Sequence, residues 1–106
     1  MKMVFAIVNK DDSNVVSEAL TQNGFSVTKI ATKGGFLSAG NTTLIIGTED
    51  EKVDKVIKII EEHSKSRKEL VSIGSIGTAT YSPFPVEVTV GGATIFVLPV
   101  DRFEKV

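Results

Sequence analysis

Ile30-Ala31-Thr32-Lys33-Gly34-Gly35-Phe36-Leu37-Ser38-Ala39-Gly40-Asn41-Thr42-Thr43-Leu44-Ile45-Ile46-Gly47 is the stretch whose reading decides the fold. A glycine-rich loop that cradles phosphate in a nucleotide hydrolase leads from a strand into a helix. Here Thr42 to Gly47 is a β-branched, apolar run, so the glycines join two strands and a P-loop is excluded. Gly34, Gly35 and Gly40 let backbone N–H groups approach a ligand closely, while Phe36-Leu37 between them needs packing or a partner.

Upstream, Phe25 and Val27 share one strand parity and Ile30 has the other, which predicts a bulge or bend between Thr28 and Ile30. Met3 to Val8 is a continuous apolar run, the pattern of a central strand covered on both faces. Between these strands, Asp12 or Ser13 is placed to cap a helix carrying Val15, Val16, Ala19 and Leu20 on one face, and Asn23-Gly24 is the stop.

Downstream, Thr48-Glu49-Asp50-Glu51 reads as a capping box. It starts a helix to about Ser64, with Val53, Val56, Ile57 and Ile60 at i, i+3, i+4, i+7 and acid–lysine i,i+4 pairs on the wet side. Ser72 to Pro85 reads as a loop, with Gly74, Gly77, Pro83 and Pro85, that also carries Ile73, Ile76 and Tyr81. Val86 to Val90 alternates, Gly91-Gly92 is a two-residue hairpin turn, and Ala93 to Val100 returns as a strand. The order β-α-β-β-α-β-β gives an α+β, ferredoxin-like β-α-β-β-α-β unit with an extra C-terminal hairpin strand. Two helices cover one sheet face. Yet Met3–Val8, Leu44–Ile46 and Ile95–Leu98 are apolar at both parities, so a second apolar face is expected to meet other copies and leave clefts between them.

The 106 residues, 42% hydrophobic and 24% charged, are expected to form a single domain over 1–106. A net charge of −1, from 12 basic and 13 acidic residues, argues against a nucleic-acid polymer or an anionic membrane as partner. The absence of cysteine excludes disulfides, thiolate metal sites and a Cys nucleophile. The apolar N-terminal run is too short for a signal sequence or a span, so a cytoplasmic protein is expected. His63, the single histidine, reads as a late helix residue, not a ligand. Asp11, Asp12, Glu49, Asp50 and Glu51 read as helix-start acids, and no serine stands in a nucleophile elbow, so no enzyme activity, metal or cofactor is expected.

Ile30 to Thr43, together with Pro85-Val86-Glu87-Val88-Thr89-Val90-Gly91-Gly92-Ala93-Thr94-Ile95-Phe96-Val97-Leu98-Pro99-Val100-Asp101, resembles the PII-like cyclic-di-AMP receptors of Gram-positive bacteria. The resemblance covers nearly the whole chain. It implies a signal-transduction homotrimer without enzymatic activity, binding cyclic-di-AMP or a related adenine nucleotide between subunits and signalling to a protein partner through loop ordering. The site residues it implies are Thr28, Gly35, Phe36, Leu37, Asn41, Gly47 and Phe96. The chain departs from the family pattern at several places: Gly24 and Ser26 stand where Asn and Arg are usual, Lys33 where a Thr is usual, Lys105-Val106 where Gln-Phe is usual, and the loop from Ser72 to Ser82 is shorter. The alternative is a trimeric interaction module whose pocket no longer takes cyclic-di-AMP.

Overall fold

The computed structural model describes residues 1–30, 40–72 and 85–106. β1 (Lys2–Asn9) leads into α1 (Lys10–Gln22), β2 (Val27–Ile30), β3 (Asn41–Thr48), a 3-10 turn at Asp50–Lys52 and α2 (Val53–Ser64). β4 (Arg67–Ser72), β5 (Pro85–Val90) and β6 (Ala93–Pro99) follow. β2, β3, β1 and β6 form one sheet in that order, every pair antiparallel, with β1 in the interior as its apolar run requires. This is the ferredoxin-like arrangement, with β6 as the fourth strand beside β1.

Strand alternation gives the sheet two faces. Val4, Ala6 and Val8 of β1 stand opposite Ile46, Leu44 and Thr42 of β3 and point towards the helices. With Val16 and Leu20 of α1 and Val56, Ile59 and Ile60 of α2 they make the core, most of it fully buried. Each such aliphatic side chain contributes about 1.5–3 kcal/mol by leaving water. On the opposite face Met3, Phe5 and Ile7 pair with Gly47, Ile45 and Thr43 on one side and Leu98, Phe96 and Thr94 on the other. None of the described helices covers that face; Phe96 is 43% and Leu98 45% exposed.

Several local expectations are corrected. β2 pairs continuously with β3, Val27 with Ile46 through Ile30 with Thr43, so there is no bulge. Ile30 changes parity relative to Val27 because the open face is itself apolar. α1 is capped by Asn9, whose Oδ1 accepts from Asp11 N at 2.9 Å, and not by Asp12 or Ser13, both buried inside the first turn. Val15 is 52% exposed and off the packed face. Asn23-Gly24 does end the helix: Gly24 takes φ +87°, the left-handed value a helix stop requires.

The capping box does not form. Thr48 closes β3, the 3-10 turn has no side-chain cap, and Asp50 instead pairs with the Met1 ammonium at 2.9 Å. Among the described residues no ion pair lies within α2, because its acids and lysines are exposed and gain little by pairing.

Gly91-Gly92 is not a hairpin turn either. β5 pairs with β4, an additional strand absent from the sequence reading, in register from Arg67–Val90 to Ser72–Pro85, and the two glycines carry the chain from this second sheet into the first. The β4–β5 ribbon has little of the domain against it, and Leu70 is 68% exposed. The predicted loop residues Ile73, Ile76 and Tyr81 lie outside the described residues.

Candidate functional site

Four of the seven site residues implied by the sequence are described: Thr28, Asn41, Gly47 and Phe96. All four sit on the open face, since Thr28 pairs with Ile45, Asn41 with Asn9, Gly47 with Met3 and Phe96 with Phe5. Gly35, Phe36 and Leu37, with Lys33, lie outside the described residues. Ser26 precedes β2 at the parity of Thr28 and is exposed.

Within one chain these residues are spread apart. Thr28 and Gly47 are diagonal neighbours on adjacent strands. Phe96 is at the opposite sheet edge, three strand spacings or about 14 Å from Thr28, and Asn41 lies six residues or about 20 Å along β3 from Gly47. No single compact ligand spans that set on one copy.

Asn41 belongs to a hollow of about 290 Å³ at the end of the sheet, lined by Ile7, Asn9, Asn41, Gly91, Gly92, Ala93 and Thr94. Its walls are mainly amide, hydroxyl and glycine backbone. A larger hollow of about 390 Å³ lies on the helix side between the end of α2 and β6, and none of the expected residues line it. Gly92 and Ala93 border both, so this link is the partition between them.

The partition is held from behind. Gly92 N donates to Ser64 O at the end of α2, and Ser64 Oγ donates to Ile60 O at 2.5 Å. Arg67, the first residue of β4, grips Asp12 with two bonds, Nη2 to Oδ1 at 3.0 Å and Nη1 to Oδ2 at 3.3 Å, and Nη1 also reaches Lys65 O at 3.2 Å. The hydrogen bonds that Arg67 donates to the Asp12 carboxylate hold its guanidinium above the ordinary value. Gly91 rests on this pair: a Cβ there would lie 2.6 Å from Arg67 Nη1 and 2.7 Å from Lys65 O, and φ is +82°. Asp12, Arg67 and Gly91 were missed as a unit in the sequence, where only the Gly-Gly signal was visible and was read as a turn.

One more polar group stands out. Thr43, 5% exposed, shares the open face with Ile7 and Ile30, and its Oγ1 has no hydrogen-bond partner among the described residues. Burying an unpaired hydroxyl costs about 1–3 kcal/mol. His63 is exposed near the end of α2, with Nδ1 2.9 Å from Ile59 O. Among the described residues, no cluster of His, Cys, Asp and Glu suited to a metal ion occurs, and no helix is long and apolar enough to cross a membrane.

Comparison with known proteins places this geometry. A functionally unknown protein from Pediococcus pentosaceus ATCC 25745 is 43% identical, with a TM-score of 0.79 over 99% of this chain and 96% of that one. The PII protein of Arabidopsis thaliana, solved bound to citrate, is 26% identical, with a TM-score of 0.62 over 93% of this chain and 73% of that one. The family model described as cyclic-di-AMP receptor matches residues 1–106, and with a PII-like fold behind it the chain belongs to the cyclic-di-AMP receptor family.

Proposed function

We propose that this chain is a PII-like signal-transduction protein, a single domain over 1–106 working in the cytoplasm. It binds cyclic-di-AMP or a related adenine nucleotide between the subunits of a homotrimer. Occupancy passes to a protein partner through ordering of the segments on either side of the site, and the chain catalyses no reaction. The observation that carries the reading is the placement of Thr28, Asn41, Gly47 and Phe96 together on the face of the main sheet that the described helices leave open.

The separations support a site shared between copies. Thr28 at the β2 edge and Phe96 at the β6 edge point the same way but stand about 14 Å apart, so one nucleotide meets both when the β6 edge of one copy lies beside the β2 edge of another. The Asn41 hollow, at about 290 Å³, falls at the lower limit of ligand pockets, roughly 300–1,000 Å³, as one wall of a shared site would. Phe36 would pack on a base and Asn41 would read a heterocycle edge.

Calorimetry with cyclic-di-AMP, AMP, ADP and ATP tests this. Saturable binding of cyclic-di-AMP, tighter than of the three mononucleotides, is expected. No heat at sub-millimolar concentration with any of the four overturns the reading.

A further inference from the structure

The Asp12–Arg67 pair lies one backbone thickness behind the glycine wall of the Asn9/Asn41 hollow. On the near side Gly91 and Gly92 line the hollow. On the far side Gly91 packs so closely on Arg67 Nη1 and Lys65 O that a single methyl group would not fit. Asp12 is 6% exposed and in the first turn of α1, the helix capped by Asn9, another residue of the hollow. Arg67 opens β4, whose strand partner β5 ends at Val90, next to Gly91. One guanidinium thus joins the start of α1, the root of the β4–β5 ribbon and the wall of the hollow.

We propose that Asp12 and Arg67 are positioning residues for the nucleotide site: their two-bond pair sets where the Gly91-Gly92 backbone stands, and so links ligand occupancy to the β4–β5 ribbon. This rests on the receptor reading above. The physical reason is the planar fork of arginine, which fixes orientation as well as distance when it meets a carboxylate with two bonds. Neither residue is expected to touch the ligand, because the glycine backbone lies between.

The test uses Arg67→Gln, Asp12→Asn, the double variant and the milder Arg67→Lys, with melting curves to establish that each is folded. In ligand-free protein, the Gly91 and Gly92 amide resonances are expected to move in the same direction in both single variants. Cyclic-di-AMP is expected to bind roughly tenfold more weakly to either, and the double variant no more weakly than the worse single, since both break one interaction. Hydrogen exchange across β4 and β5 is expected to be slowed by cyclic-di-AMP in the wild type and to lack that protection in the variants. Arg67→Lys, which keeps charge but not the fork, is expected to fall between and carries the affinity test if Arg67→Gln does not fold.

Unmoved glycine amides with affinities within twofold of wild type overturn the proposal, as does a double variant equal to the product of the singles. Absence of cyclic-di-AMP binding to the wild type defeats the receptor reading instead. The ligand-free glycine resonances then decide the positioning role, and unmoved resonances reject it.

Discussion

Ile45 and Ile46 are neighbours in β3 with opposite duties. Ile46 points to the helices and is fully buried against Val4, Val27 and the core; Ile45 points the other way, beside Phe5 and Thr28, and is only half-buried. The same division runs through β1, where Val4, Ala6 and Val8 are sealed while Met3, Phe5 and Ile7 are not. One face therefore holds the chain together, and the other carries apolar area that the proposed trimer would bury, together with the expected ligand contacts.

The largest effect expected comes from splitting that pair. Ile46→Ala removes a side chain from a closed core and should cost about 3 kcal/mol in denaturant unfolding, independent of protein concentration. Ile45→Ala should cost less in dilute protein and more as protein concentration rises, since the loss of the proposed contacts between copies then adds to its effect. Equal, concentration-independent losses would break the comparison.

Next in size is Ser26→Arg. Ser26 has the parity of Thr28, so an arginine there reaches the open face, and a restored charge-assisted bond should tighten cyclic-di-AMP binding about tenfold by calorimetry. Unchanged affinity would remove Ser26 from the site. Thr43→Val sharpens the comparison further. If the buried Oγ1 has no partner, replacing it by a methyl group should stabilise the ligand-free protein by about 1 kcal/mol. A loss of stability would show that the hydroxyl is bonded in the assembled protein.

The smallest effect lies away from both faces. The hydrogen bond from the Met1 ammonium holds the Asp50 carboxyl below its ordinary 3.8. Its folded value is therefore the lower one, so the contribution is complete above about 3.8 and disappears as pH falls through the folded value. Asp50→Asn should melt slightly earlier than wild type at neutral pH and indistinguishably in strong acid. A gap that persists in acid would exclude the ion pair as its cause.

The element order of the main sheet was legible in the alternation of strand and helix periods, and the second apolar face in Met3–Val8, which is apolar at both parities. Family likeness proposes Thr28, Asn41, Gly47 and Phe96 for the site, and their common face follows from alternation alone. Other features depended on distance along the chain. Asn9, Asp11, Asp12 and Ser13 all look like caps locally, and only Arg67, 55 residues beyond Asp12, removes Asp12 from that duty. β4 opens on Arg67-Lys68-Glu69, too charged to read as a strand until β5 is seen beside it. Gly91-Gly92 has the composition of a tight turn, yet its positive φ values serve a passage between two sheets against a guanidinium.

A crystal structure of the protein soaked with cyclic-di-AMP is the decisive measurement. Nucleotide density is expected between two copies, against Thr28, Gly47 and Asn41 and beside Phe96, with the helix-covered faces turned outward. A nucleotide bound on the helix side, or open sheet faces left in solvent with the clefts empty at saturating ligand, would contradict that expectation.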